Sequence, residues 1–280
     1  MYLGSFVRDG RSSFGLIVNG RVIDLAARTG AANLRDAIAA GTIKTATRAS
    51  QEADSGQPLS SVTLLPPIPD PNKVICIGLN YRAHAAEAGL KLPENPSLFL
   101  RLTNTLVAHG APLVRPSLSN DFDYEGELAI IIGKGGRHIP KSSALEHVFG
   151  YTCFNDGSLR DFQFKHSVTV GKNFPSTGGF GPWIATADAI PDPSKLTLTT
   201  RVNGKQVQHK GLDDMIFDVP SIIAYVSSWT KLEPGDVIST GTPEGVGFAR
   251  KPPLWLRPGD TVEVEISSVG ILRNPIVAES

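Results

Sequence analysis

Four carboxylates alternate in the stretch DFDYEGELAIIIGKG, residues 121–135: Asp121, Asp123, Glu125 and Glu127 take every second position. The run then enters Leu-Ala-Ile-Ile-Ile, which reads as a strand heading into a core. In a strand, residues i and i+2 share a face. Glu125 and Glu127 therefore point the same way, and Ala129 and Ile131 continue that face inward. Two neighbouring carboxylates at the rim of a core repel one another, and loss of water penalises both. A divalent cation resolves the conflict, and hard oxygen donors suit Mg²⁺, Mn²⁺ or Ca²⁺. A solvated strand end with scattered charge gives the same letters, so E-x-E needs company.

The segment FNDGSLRDFQ (154–163) supplies it, with Asp156 and Asp161 just after the apolar run GYTCF. Asp156 falls where a strand gives way to a turn, a good place for a ligand. Arg160 and Gln163 follow four and seven positions later, and a short helix would put all three on one side. A guanidinium and a carboxamide suit a substrate carboxylate or carbonyl. NYRAHAAEAG (80–89) adds His84 and Glu87, which touch at i, i+3 on a helix. A carboxylate beside an imidazole fixes its tautomer and raises its basicity, which makes a general base for water. A surface pair is the plainer reading of the same spacing. VGKNFPSTGGFGPWI (170–184) sets Lys172 before a Gly-rich turn, either as an exposed lysine or as a cation for an oxyanion. His109, His138, His147, His166 and His209 show no paired spacing.

Elements must hold these groups. SFGLIVNGRVIDL reads as a hairpin turning at Asn19-Gly20, and a short helix is expected around Asn33–Ala40. The polar stretch RASQEADSGQP reads as a hinge, and LLPPIPDPNK (64–73) as an extended linker. The division that follows is a small N-terminal domain over 1–66 and a catalytic domain over 67–280. In the second unit KVICIGL (73–79), SLFLR and HVFGYTCF read as strands, and Asn203-Gly204 as a hairpin turn. Asn80 is the expected N-cap, and Gly89 the stop, of the helix carrying His84. VPSIIAYVSSWT (219–230) is the one clear helix of this unit, with Ile222, Ile223, Val226 and Trp229 as its apolar stripe. LEPGDVIST and LRPGDTVEVEI each place a Pro-Gly turn before a strand, and the TGTPEGVG loop (240–247) between them lets backbone approach a ligand closely. Generous glycine and proline (28 and 21 residues) with scarce helical periodicity favour a β-rich α+β architecture.

The bulk figures exclude several classes of function. Lys+Arg and Asp+Glu balance at 27 each across 280 residues, so no basic footprint points to nucleic acid or an anionic membrane. No run of about 18 apolar residues exists to span a bilayer. MYLGSFVRDGR lacks a long apolar run and carries its charges early, unlike a secretory leader. The two cysteines, Cys76 and Cys153, each sit in an apolar run and read as reduced buried thiols, which fits a cytoplasmic protein.

Taken together, the segments resemble the fumarylacetoacetate hydrolase family. They are G-x-N-Y-x-x-H-x-x-E at 78–87, E-G-E at 125–127, N-D-x-S-x-R-D-x-Q at 155–163, G-K-x-F at 171–174, M-I-F at 215–217 and L-x-x-G-D-x-I-x-T-G-T-P-x-G-V-G at 232–247, followed by a late P-G-D strand. Their order and spacing match from about residue 72 to 276. The resemblance implies a β-roll catalytic domain with a smaller N-terminal domain, usually as a homodimer acting on a small molecule. It implies Mg²⁺ or Mn²⁺ held by Glu125, Glu127 and Asp156, with His84 and Glu87 as the base on a lid-like segment and Lys172 as oxyanion cation. Arg82, Arg101, Arg160, Gln163 and Thr242 fall on substrate-binding positions. One departure stands out: where the family often has lysine followed by proline, this chain has Arg101-Leu102. The activity expected from the resemblance is hydrolysis of a C–C bond in a 2,4-dioxo acid. The alternatives are isomerisation of a 2-hydroxy-dienoate, decarboxylation of oxaloacetate, a ureido-acid lyase, or a non-catalytic scaffold.

Overall fold

Asp9-Gly10 and Asn19-Gly20 take left-handed backbone, at φ 48° and 73° and at 51° and 69°. That is the geometry a two-residue hairpin turn demands, and it folds the first three strands into a meander. The computed structural model describes residues 1–53, 56–87, 89 and 91–280, with only the backbone course of 49–53. The strands are β1 (Tyr2–Arg8), β2 (Arg11–Val18), β3 (Arg21–Asp24), β4 (Gln57–Pro58), β5 (Thr63–Leu64), β6 (Val74–Gly78), β7 (Ser97–Leu100), β8 (Leu106–Val107), β9 (Leu113–Arg115), β10 (Phe122–Asp123), β11 (Gly126–Ile132), β12 (Val148–Asn155), β13 (Ser158–Leu159), β14 (Gly178–Thr186), β15 (Thr197–Val202), β16 (Lys205–Gly211), β17 (Val237–Ser239), β18 (Thr261–Ile266) and β19 (Gly270–Ala278). The helices are α1 (Ala26–Thr29), α2 (Leu34–Ala39), α3 (Ile43–Ala53), α4 (Arg82–Glu87), α5 (Arg160–Lys165), α6 (Val168–Lys172) and α7 (Val219–Trp229).

Two sheets and α7 build the frame. The larger sheet runs β4-β3-β2-β1-β14-β12-β11-β17-β6-β7, with β5 on β1 and β8 on β14; the smaller runs β16-β15-β18-β19-β9. Leu128, Ile130 and Cys153 on one face of the larger sheet meet Leu198, Val264, Ile266 and Leu272 of the smaller, together with Ile222, Ile223 and Val226 of α7. On the other face Ala129, Ile131 and Phe154 pack with Leu3, Phe14, Leu34 and Ile38. Strand β11 is therefore buried along its whole length, which explains an almost unbroken apolar run after the acidic residues. The two free cysteines are buried on opposite faces of the sheet.

Some sequence expectations change in three dimensions. The sheet crosses the expected division near residue 66, since Tyr2 and Leu3 of β1 pair with Ala185 and Ile184 of β14. The proline-rich segment is irregular but pinned: Ile68 is fully buried, and Ser5 donates to the Pro67 carbonyl at 2.8 Å. Helix α3 continues into the polar stretch expected as a hinge because Ile43 and Ala46 bury one face; positions 54 and 55 of that stretch lie outside the described residues. Asn80 does not cap α4. Its side chain donates to the carbonyls of Phe217 and Thr240 and accepts from Phe217 N–H, which uses it as a cross-chain clamp. Trp229 leaves the apolar stripe of α7 and is 47% exposed, because the helix ends there beyond the core. Among the described residues no helix is long and apolar enough to cross a membrane.

Candidate active site

The backbone brings the three acidic residues together. Glu125 lies in the break between β10 and β11, and Asp156 follows the last residue of β12. Gly126 pairs with Asn155 and Glu127 with Phe154 across the two strands. Asp156 N–H then donates to the Glu125 carbonyl at 2.8 Å, and Asn155 Oδ1 accepts the Glu125 N–H at 3.0 Å. As a result, ligand oxygens of Glu125, Glu127 and Asp156 all lie within 4.8 Å of one another, and all three residues are buried. The glycine between the glutamates is required, since a Cβ on Gly126 would lie 2.1 Å from Thr200 Oγ1 of the smaller sheet. Gln208 and Thr242 secure it: Gln208 Oε1 accepts the Gly126 N–H, Thr242 Oγ1 donates to the Gly126 carbonyl, and Gln208 donates to Thr242.

Positive charge surrounds part of this cluster. Lys172 Nζ, at the end of α6, sits 2.6 Å from both Glu125 Oε2 and Asp156 Oδ2. Arg160 Nη2 lies 2.6 Å from Glu125 Oε1, and its Nε donates to Asp123 at 2.9 Å. Burial opposes the charge on Glu125, but Lys172 and then Arg160 outweigh it and hold the carboxyl down at about 2. Burial likewise opposes the charge on Lys172, yet Asp156 and Glu125 keep its pKa above the ordinary amine value. Lys172 is a cation here, not a base. Glu127 differs from its neighbours. It accepts only from Ser239 Oγ and from Gly241 N–H, the latter at 3.0 Å, and no cation pairs with it among the described residues. Burial, then the charges of Asp156 and Glu125, push it well above the usual carboxylate range. Three oxygen donors converging on one point, one of them lacking a counter-charge, fit a hard divalent cation.

A cleft of about 370 Å³ opens beside the cluster. Glu125, Lys172, Arg160, Gln163, Thr242 and His84 give its polar wall, and Leu79, Phe99, Phe164, Val168 and Phe248 its apolar one. His84 Nδ1 lies 3.2 Å from Glu87 Oε2, so the imidazole presents its Nε2 elsewhere. Arg160 Nη1 donates to Gln163 Oε1 at 2.9 Å, and its guanidinium lies 4.6 Å from the centre of the Phe248 ring.

The structure thus gathers His84, Lys172, Arg160, Gln163 and Thr242 around the acidic triad, and it places two expected residues elsewhere. Arg82 turns to the carbonyls of Asp214 and Met215. Arg101 is buried behind Asp156 and does not line the cleft. Nor does one helix carry Asp156, Arg160 and Gln163, because α5 begins only at Arg160. Asp161 accepts from Ser119 and plays no part in the cluster. Asp123 was missed. It accepts from Arg160 and from the N–H groups of Gly247 and Phe248, tying the TGTPEGVG loop to the cleft. Its place in the D-x-D-x-E-x-E alternation was the available signal.

Residues 73–277 match the family model described as fumarylacetoacetate (FAA) hydrolase C-terminal. The chain belongs to the fumarylacetoacetate hydrolase family. Among its relatives, the Bacillus subtilis (strain 168) protein named oxaloacetate tautomerase YisK is 44% identical over 224 residues, 78% of this chain and 74% of that one. The Xenopus laevis protein named oxaloacetate tautomerase fahd2, mitochondrial, is 42% identical over 221 residues, 78% of this chain and 69% of that one. Among solved structures, the maleylpyruvate hydrolase of Sphingobium sp. SYK-6, in complex with manganese(II) and pyruvate, superposes with a TM-score of 0.85 at 32% identity, covering 100% of both chains. Members of the family include tautomerases, hydrolases and isomerases, so this chain is an enzyme-family member with a candidate metal site.

Proposed function

We propose that the protein is a divalent-metal-dependent enzyme of short 2-oxo acids, and that its reaction is keto–enol tautomerisation of an oxaloacetate-type substrate. The observation that carries this reading is the oriented imidazole, His84 on Glu87, set in the same cleft as Lys172, whose ammonium is paired with Glu125 and Asp156. Tautomerisation needs one base and one stabilised enolate, and no more. The names of relatives at 42–44% identity support the same choice.

Glu125, Glu127 and Asp156 would hold Mg²⁺ or Mn²⁺. Bound there, the ion would draw electron density from the 2-oxo group and offset the enolate charge. His84 takes the proton from the carbon beside the keto group, and Glu87 keeps its Nδ1–H in place through the transfer. Lys172 spends its three N–H donors on Glu125 Oε2, Asp156 Oδ2 and the Asp156 carbonyl and would act on the developing oxygen charge through its positive charge. Gln163 has its Oε1 committed to Arg160, which leaves its amide nitrogen to donate, with Arg160, to a second substrate carboxylate in this reading. The proton returns from His84 to oxygen or carbon, and the balance closes without a co-substrate. The homodimer implied by the resemblance belongs to the same proposal, and light scattering on a sizing column reads it.

A second reading keeps the site and changes the chemistry: His84 activates water for C–C hydrolysis of a 2,4-dioxo acid. The structural likeness to a hydrolase that holds manganese and pyruvate supports it. Stopped-flow absorbance of enol-oxaloacetate with Mn²⁺, beside a panel of acylpyruvates followed by proton NMR, separates the two. Acceleration of enol loss by the protein, itself abolished by chelator, supports tautomerisation. Unaltered enol decay with release of pyruvate from an acylpyruvate overturns it in favour of hydrolysis.

A further inference from the structure

The guanidinium of Arg101 lies beneath the acidic triad, on the side away from the cleft. Its side chain is fully buried. Four acceptors surround it. Nη1 donates to the Asp156 Oδ1 carboxylate oxygen and, at 3.1 Å, to the Gly157 carbonyl. Nη2 donates to Thr177 Oγ1 at 2.9 Å, and Nε to Thr105 Oγ1 at 3.2 Å. Both hydroxyls spend their own protons on backbone carbonyls, Thr177 on Phe174 and Thr105 on Leu102, each at 2.7 Å. Their lone pairs are thereby turned toward the arginine. The backbone is shaped to the same group: a Cβ on Gly178 would stand 2.8 Å from Nη2.

The consequence falls on Asp156. With Oδ1 held by Arg101, the carboxylate has one rotational setting, in which Oδ2 faces Lys172 and the two glutamates. The geometry points to Arg101 as a positioning residue: it binds no substrate but presets Asp156 as a metal ligand. This rests on the reading of Glu125, Glu127 and Asp156 as the metal site. Only a planar fork reaches four acceptors at once; a lysine at this position reaches Asp156 as a point charge and leaves at least one threonine hydroxyl without its donor. Groups that orient metal ligands typically change affinity by about 10- to 100-fold when removed.

The test is Mn²⁺ titration of the full chain, read by the electron paramagnetic resonance of free and bound ion, for wild type, Arg101→Lys, Arg101→Met and the double variant Thr105→Val/Thr177→Val. Weaker binding is expected for Arg101→Met, by about 10- to 100-fold, with partial recovery in Arg101→Lys and an altered bound-ion line shape. The double variant leaves Arg101 and Asp156 in place and shifts affinity the same way by less, which keeps the test decisive if Arg101→Met does not fold. Wild-type binding with unchanged affinity and line shape in the variants overturns the positioning role and leaves the metal site standing. Absence of Mn²⁺ binding by wild type itself overturns the metal reading, and this inference with it.

Discussion

Glu87 Oε1 accepts the backbone N–H of Gly245 at 3.0 Å while Oε2 lies 3.2 Å from His84. One carboxylate thus joins the candidate base to the TGTPEGVG loop, so the seat of α4 on that loop and the aim of the imidazole are set together. Gly245 can come this close because its backbone sits at φ 96°, where a side chain would run into the Val207 carbonyl.

His84→Ala removes the candidate base and, among the described residues, no hydrogen bond or ion pair to the triad. Turnover is expected to fall by about 10²- to 10⁴-fold with Mn²⁺ affinity unchanged. Glu87→Gln retains an acceptor for Gly245 but loses the charge that stabilises imidazolium, so it falls between wild type and His84→Ala. Steady-state kinetics beside the metal titration reads both, and near-normal turnover in His84→Ala removes this residue from the mechanism.

Glu127 is a buried carboxylate with no cation paired to it among the described residues, and without a bound metal its burial costs stability. Glu127→Gln keeps the shape and deletes the charge. In chelator the variant is expected to be more stable than wild type, by about 1–3 kcal/mol, as a higher urea midpoint. With saturating Mn²⁺ the order reverses, because only wild type gains binding energy. A variant that is less stable under both conditions would show that Glu127 is held by something other than metal.

The triad was legible because its ingredients are local: alternation set Glu125 and Glu127 on one face, and the end of an apolar run marked Asp156. The hairpins were legible where Asn-Gly dipeptides announced them. What supports the triad was not. Gln208 reaches Gly126 from a different sheet, 82 residues away in sequence, and no local pattern encodes that. Arg101 read as a substrate group because the family resemblance set it at a substrate-binding position, whereas here two threonines and a glycine make room for it in the interior. Asn80 had the spacing of a cap, but tertiary partners on both sides outbid the helix for its amide. The continuity of β1 with β14 depends on strand pairing between residues more than 180 positions apart, which periodicity cannot report.

Gly126→Ala drives a methyl group toward Thr200 Oγ1, Gln208 Oε1 and Val264 Cγ1. Overpacking at a rigid sheet interface costs about 1–3 kcal/mol. Thr200 Oγ1 is itself buried with no hydrogen-bond partner among the described residues, so Thr200→Ala opens space at little polar cost. The double variant should recover part of the loss, and a cycle of urea midpoints measures the coupling. Strict additivity would mean that the strain is relieved by sliding β11 instead, and the metal affinity of Gly126→Ala would then fall with its stability.

His109 supplies the pH dependence that lies apart from the triad. Burial lowers its pKa from 6.5, the Arg273 charge adds to this, and a backbone hydrogen bond at Ile271 only partly opposes it. Its Nδ1 accepts the Arg273 N–H at 3.2 Å, which requires the neutral ring. The folded state therefore binds fewer protons than the unfolded chain in the interval just below 6.5. Stability from this group is complete above that value and is lost as pH falls through the lowered one. The urea midpoint of metal-free wild type, taken relative to that of His109→Gln, should decline between about pH 7 and pH 5. Equal slopes would assign the acid sensitivity to other groups and leave His109 a spectator.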